Sequence, residues 1–200
     1  MTLRDRVKIL EREVLSDDWA VLTKYTIRYT RSDGTDQILP RQTYDRGDGA
    51  VILPYDPERG TVLLGRQFRL AAFLNGHDDL LIEAAAGLLE KADPVTRIKA
   101  ETEEELGLRL TDVRQIWDVF MSPGSVTERL FFFVGRYSTA DRVSAGGGVR
   151  AEGEEIDVLE LPIARALDMV SNGQIRDAKT IMLLQYAALY LLGNEYRKRI

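Results

Sequence analysis

The sequence predicts an α/β domain built on a mixed β-sheet with few helices, preceded by a β-rich extension at the N-terminus. Three observations carry this. The first 46 residues read as strands and turns. The remainder carries more short apolar strands than helical segments. The chain is 44% hydrophobic and 30% charged, so 200 residues make one cored domain with room for a small extension.

In "AVLTKYTIRYT", Val21, Thr23, Tyr25, Ile27 and Tyr29 alternate with Lys24, Thr26, Arg28 and Thr30, the pattern of a half-buried strand. "SDGT" (Ser32 to Thr35) is a turn, and "QILPRQTY" returns as a second strand. Pro40 lacks an N–H, which places it on an edge or at a strand end. "GAVILPYDPERGTVLLGRQFRL" reads as a hairpin turning at "DPERG". "LLIEAAAGLLE" is strand-like up to Glu83 and then small-residue. "DVRQIWDVF" and "RLFFFVGRY" read as buried strands flanking the loop "MSPGSVTE". A long glycine-rich, charged loop, "STADRVSAGGGVRAEGEE", leads to the short strand "IDVLEL". "PIARALDMVSNG" and "AKTIMLLQYAALYLLG" read as helices.

The net charge of −5 argues against a broad basic surface for nucleic acid. An acidic protein still binds an anionic ligand through a metal or a few local arginines. With no cysteine, disulfides and thiolate metal sites are excluded. His77 is the only histidine and, within "LNGHDDL", is expected to be a solvated loop residue. No signal peptide is evident, and the apolar run Ile181 to Leu192 is too short to span a bilayer. No membrane partner is expected, and a cytoplasmic location is the default.

Asp93-Pro94 is a helix start and Gly107 a stop. Between them Val95, Ile98, Thr102 and Leu106 share one face, expected to pack on the sheet. Glu101 and Glu105 fall at its margin, about 40° apart at ~100° per residue. Acids one turn apart repel by about 0.2–0.5 kcal/mol. A charge run is ordinarily a solvated face. Here the marginal acids lack a basic residue one turn later, and the small-residue turn "EAAAGLL" precedes the helix. Carboxylates so placed suit a hard divalent cation such as Mg²⁺, which relieves their repulsion.

"GLLEKADPVTRIKAETEEELGL", Gly87 to Leu108, resembles the signature of the Nudix hydrolases, G-x5-E-x7-R-E-U-x-E-E-x-G-U. Gly87, Glu101, Glu104, Glu105, Gly107 and Leu108 match it. The stretch is one residue shorter: Asp93 takes the first Glu position, Ala100 replaces the Arg and Thr102 the aliphatic residue. Arg97 lies one turn before Glu101, where it would partly substitute for that Arg. The segments "YDRGDGAVILPYD", "GRQFRLAAFLNG", "AAGLLE", "MSPGSVTE", "SAGGGVRAEGEEIDVLELP" and "GQIRDAKTIMLLQY", in this order, are similar to the GDP-mannose pyrophosphatase group, near the ADP-ribose pyrophosphatases.

The resemblance implies an α/β/α sandwich over residues 47–200. It also implies that residues 1–46 form a β extension exchanged between subunits, giving a homodimer with shared active sites. It implies Mg²⁺-dependent cleavage, with Mn²⁺ as a substitute, of a nucleotide sugar at its diphosphate link: GDP-mannose to GMP and mannose 1-phosphate. Glu101, Glu105, the Ala86 carbonyl and an acid after the glycine-rich loop match metal ligands. That acid is Glu154 by alignment from the following strand, with Glu155 hard to separate. Glu104 supports the metal shell, and Glu128 is the candidate base for water. Arg41, Arg69 and Lys179 match phosphate or sugar contacts, with Ala86, Gly87, Glu105 and Glu128 also bordering substrate. Gln42 is where specificity would be tuned. Trp19 matches an aromatic that stacks on the base, with core packing as the alternative. Gly146, Gly147 and Gly148 would permit a mobile lid, and no dinucleotide fingerprint surrounds them. ADP-ribose or another nucleotide sugar is the alternative substrate. A non-catalytic nucleotide-binding module, prompted by Ala100, is the alternative of another class.

Overall fold

The alternating N-terminal residues form three strands, β1 (Val7–Asp17), β2 (Val21–Thr30) and β3 (Asp36–Asp45), after a single helical turn, α1 (Leu3–Arg6). They make an antiparallel sheet in the order β1-β2-β3. The Ser32–Thr35 turn closes the second hairpin, with Arg31 N–H donating to the Thr35 carbonyl at 2.8 Å. Pro40 pairs with Thr26 in β3, an edge strand of this sheet as its missing N–H requires. Every residue of β1 is exposed, among them Ile9, Leu10, Val14 and Leu15. The structure, a computed structural model, describes residues 2–192.

The chain divides into two compact units. The first joins residues 2–48 to the segment Phe120–Arg129, an association that sequence periodicity does not reveal. The segment is stitched to the end of β3: Tyr44 N–H donates to Ser125 at 2.7 Å, and Thr127 N–H donates to Tyr44 at 3.1 Å.

The second unit, residues 49–119 with 130–192, is organised around a mixed sheet. Its strands are β4 (Gly49–Asp56), β5 (Thr61–Gln67), β6 (Leu81–Glu83), β7 (Ala85–Leu88), β8 (Val113–Phe120), β9 (Arg129–Arg136) and β10 (Asp157–Pro162). The main path runs β10-β5-β4-β9-β8, with β4 and β9 parallel. β4 and β5 pair only near their shared turn, at Tyr55–Val62 and Asp56–Thr61. Beyond that they separate, β7 pairing with β4 and β6 with β5. Helices are α2 (Leu70–Leu74), α3 (Pro94–Leu106), α4 (Ile163–Ser171) and α5 (Ala178–Tyr186), the last followed by a π-helical turn, Ala187–Leu191.

Successive β4 residues Ala50, Val51, Ile52 and Leu53 are all fully buried, so both faces of the central strand are covered. Ala50, Ile52, Leu63 and Phe133 form one core with Ile98 and Leu106 of α3. Their neighbours Val51, Leu53, Leu64 and Phe132 point the other way by strand alternation, and α5 also packs against β4.

Three expectations are corrected. β8 is an edge strand with half its residues exposed, because only β9 flanks it. The short helix α2 begins at Leu70, the last residue of the segment expected to be a hairpin. The last apolar segment leaves α-helical geometry after Tyr186, and its final Gly193 lies outside the described residues.

Gly107 ends α3 in the left-handed region at φ 70°, and a Cβ there would overlap the Ser144 carbonyl oxygen. Gly107→Ala is expected to destabilise the protein by at least about 1–2 kcal/mol, the cost of that conformation for an L side chain. A urea midpoint unchanged from the parent would refute this.

Candidate active site

Helix α3 begins where Asp93 accepts a hydrogen bond from Thr96 N–H at 3.0 Å, with Pro94 at the first turn. Ile98, Thr102 and Leu106 are buried, whereas Val95 stays exposed in the first turn, short of the core. The two marginal acids are not solvated: Glu101 is 5% and Glu105 3% exposed, while Glu104 is open to solvent. Burial pushes the Glu101 carboxyl up to about 7; Arg97 opposes this, and Glu104, Glu154 and Glu152 add to it. Burial likewise pushes Glu105 up to about 8, reinforced by Glu101, Glu154 and Glu83 and opposed by Arg69.

Glu101 does have a cation, one turn earlier rather than later. Arg97 Nη2 lies 2.6 Å from Glu101 Oε1, while Arg97 Nε donates to the Leu88 carbonyl at 3.1 Å. The guanidinium ties the helix acid to the strand that precedes it, although Ala100 stands at the signature position. Below Glu101 lies Gly87, where a Cβ would overlap the carboxylate. Only glycine lets the acid rest on the β7 backbone, directly after Ala86.

The glycine-rich loop is not a free lid. Gly147 N–H donates to the Glu105 carbonyl at 3.0 Å, Gly148 N–H to Glu104 at 3.1 Å and Val143 N–H to Gly107 at 2.9 Å. These bonds satisfy carbonyls that a helix C-terminus leaves open. The loop then carries Glu154 back: its carboxylate accepts from Val149 N–H at 2.8 Å and is half-buried, while Glu155 is exposed. The Glu154 charge acts on Glu101, Glu105 and Arg69.

Glu83, at the end of β6, is a feature the sequence reading passed over. It is 3% exposed, and its two oxygens take Arg69 Nε at 2.6 Å and Lys179 Nζ at 2.7 Å. Its signal was an acid closing the apolar run "LLIE". Within this unit the structure therefore gathers Ala86, Gly87, Glu101, Glu104, Glu105 and Glu154 with Arg69 and Lys179, a basic pair joined through Glu83.

Trp19, Arg41, Gln42 and Glu128 belong to the first unit. Trp19 is 66% exposed with its ring 6.5 Å from Tyr44, so it is not a core residue. Arg41 and Gln42 are exposed on β3. Glu128 is buried, not a free loop acid, and Arg46 Nη2 lies 2.7 Å from its Oε1. His77 also departs from expectation: it is half-buried, and its Nε2 has no partner among the described residues.

Among the described residues no three acid or histidine side chains already converge as a finished metal cage. The donor chemistry nonetheless fits a hard divalent cation. It is all oxygen, and burial raises the proton affinity of two of its acids, so that a cation replaces protons there.

In the presence of chelator, Glu101 and Glu105 release their protons near 7 and 8 in the folded state and at ordinary carboxylate pH when unfolded. Between those limits the native state binds more protons, so stability falls as pH rises through the window. Urea midpoints from pH 5.5 to 9 are expected to decline, less so in Glu101→Gln and more steeply in Arg97→Met. Added Mg²⁺ is expected to restore stability at the alkaline end. A midpoint that rises across this range would contradict the assignment.

Residues 6–44 match a family model described as the GDP-mannose pyrophosphatase NudK N-terminal domain. The chain is 46% identical over 181 residues to a GDP-mannose pyrophosphatase of Klebsiella pneumoniae subsp. pneumoniae, covering 90% of each protein. It is 46% identical over 184 residues to that of Pectobacterium atrosepticum, covering 92% of this chain and 94% of the relative. The solved structure of an ADP compounds hydrolase superposes with a TM-score of 0.72, covering 95% of this chain and 96% of the other. At 17% identity that likeness speaks for the fold. On the relatives' identity over nine-tenths or more of their length, the chain belongs to the GDP-mannose pyrophosphatase family of Nudix hydrolases.

Proposed function

We propose that the protein hydrolyses the diphosphate bond of a nucleoside diphosphate sugar, with GDP-mannose as substrate and GMP and mannose 1-phosphate as products. The observation that carries this is the buried pair Glu101 and Glu105, the first set on Gly87 and the second facing the charge of Arg69, which Glu83 joins to Lys179. Acids and bases so close together suit a ligand that brings its own metal-bound negative charge. The relatives' name supplies the substrate.

Nudix hydrolases generally use a divalent metal. Glu101, Glu105, Glu154 and the Ala86 carbonyl would hold Mg²⁺, or Mn²⁺ in its place, which supplies charge neutralisation at the diphosphate oxygens. Glu104 supports that shell from the exposed side of α3. Arg69 and Lys179 take phosphate oxygens, and Gly87 borders the substrate while seating the Glu101 carboxylate on the backbone. Glu128, freed from Arg46, accepts the proton of the attacking water; a base poised this way needs a rearrangement on binding. Trp19 offers its open ring to the base, Arg41 a fork to the phosphate, and Gln42 a hydrogen bond that sets sugar preference.

The N-terminal strands, residues 1–46, serve a homodimer that shares its active sites. The exposed apolar residues of β1 support this, since a monomer rarely leaves such a row uncovered. Among the described residues no helix is long and apolar enough to cross a membrane. A cytoplasmic place of action is the default we adopt for such an enzyme.

The test is incubation with Mg²⁺ and a panel of nucleotide sugars, with and without chelator, products being identified by mass. GMP plus mannose 1-phosphate, abolished by chelator, is expected. AMP plus ribose 5-phosphate from ADP-ribose alone would move the substrate. Absence of any cleavage would favour a binding module. Glu101→Gln is expected to fold and to lose about 10³-fold in kcat, the scale of several kcal/mol of metal-supplied stabilisation. Sedimentation as a monomer would remove the shared site.

A further inference from the structure

Burying a carboxylate is costly, and replacing a buried ion pair by apolar residues is often neutral or stabilising. Glu83 is nonetheless buried at the point where β6 ends and the sheet splits. Its oxygens are divided between cations from two distant elements, Arg69 at the head of α2 and Lys179 in the first turn of α5. Stability alone is a weak reason for such an arrangement.

The surroundings make it rigid. Asp177 caps α5, accepting from Thr180 N–H at 3.0 Å, and its other oxygen takes Lys179 Nζ at 2.8 Å. Thr180 Oγ accepts in turn from Ala84 N–H at 2.7 Å. Two consecutive residues at the β6–β7 joint, Glu83 and Ala84, are thus fastened to two consecutive helix residues, Lys179 and Thr180. The donors left over matter as much as those engaged. Glu83 holds Arg69 by Nε, and neither terminal guanidinium nitrogen has a partner among the described residues. Lys179 uses two of its three N–H groups. Arg69 keeps 44% of its side chain exposed and feels the charges of Glu105 and Glu154.

We propose that Glu83 is a positioning residue: it pins Arg69 and Lys179 as a preassembled two-cation clamp whose free donors receive phosphoryl oxygens beside the α3 acids. This rests on the nucleotide-sugar reading above. Without Glu83 the two cations would repel, and each would have to be ordered anew by the ligand.

Glu83→Gln keeps the volume and removes the charge. It is expected to raise KM for GDP-mannose about tenfold or more, the loss of one or two charge-assisted contacts, with kcat changed less than about threefold. In the double variant Glu83→Gln with Lys179→Met, the KM effects are expected to fall short of multiplying, because both act through one clamp. A purely structural Glu83 would lower the unfolding temperature and leave KM unmoved, which would overturn the proposal. Should Glu83→Gln fail to fold, Glu83→Asp keeps the charge but shortens the reach, and the same rise in KM is expected. Calorimetric binding of inorganic pyrophosphate with Mg²⁺ separates the two readings. Wild-type binding weakened about tenfold by the Glu83 variant supports the clamp even if no nucleotide sugar is cleaved, and equal binding by both proteins overturns it.

Discussion

Two carboxylates of like charge, buried one turn apart on α3, set the terms for the second unit. Each loses hydration, and the Glu101 charge further raises the proton affinity of Glu105. A helix tolerates this only if its neighbours compensate. Arg97 holds one acid from the preceding turn, Gly87 gives it a seat on the backbone, and Arg69 offsets part of the charge on the other. Destabilised locally, the pair is well placed to gain most from a cation.

The split of β4 from β5 provides the ground for those neighbours. A continuous pairing of the two strands would leave no room for β6 and β7, and so none for Glu83 or for the Ala86–Gly87 backbone beneath α3. The short strands inserted there carry an acid and a glycine within five residues. One collects the cations and the other receives the helix acid. The hydrogen bonds from Asp177 through Thr180 to Ala84 fix α5 to the same joint.

The glycine-rich segment shows how composition misleads when read alone. Three glycines in a row permit mobility, but here the N–H groups of Gly147 and Gly148 close the C-terminal end of α3, and the loop brings the Glu154 charge back to the acid pair. In the first unit Glu128 is likewise not the open loop acid of the sequence; Arg46 occupies it.

Much was legible in the chain by itself: the alternating strands, the capped helix from Asp93 to Gly107, the edge position of Pro40, and the spacing that puts Glu101 beside Glu105. These are local properties, fixed by periodicity, by the missing N–H of proline and by the conformations open to glycine. The order of motifs also named the family. Tertiary structure decided the rest. It buried the two acids, matched Arg97 to Glu101 across the gap left by Ala100, left Glu155 exposed while half-burying Glu154, and joined Arg69 to Lys179 through Glu83. It also placed β8 at an edge and took His77 partly out of solvent. Those outcomes depend on which segments lie against one another, and so on desolvation and charge pairing across 14 residues for Arg69 and 96 for Lys179, distances over which sequence spacing carries no geometric information.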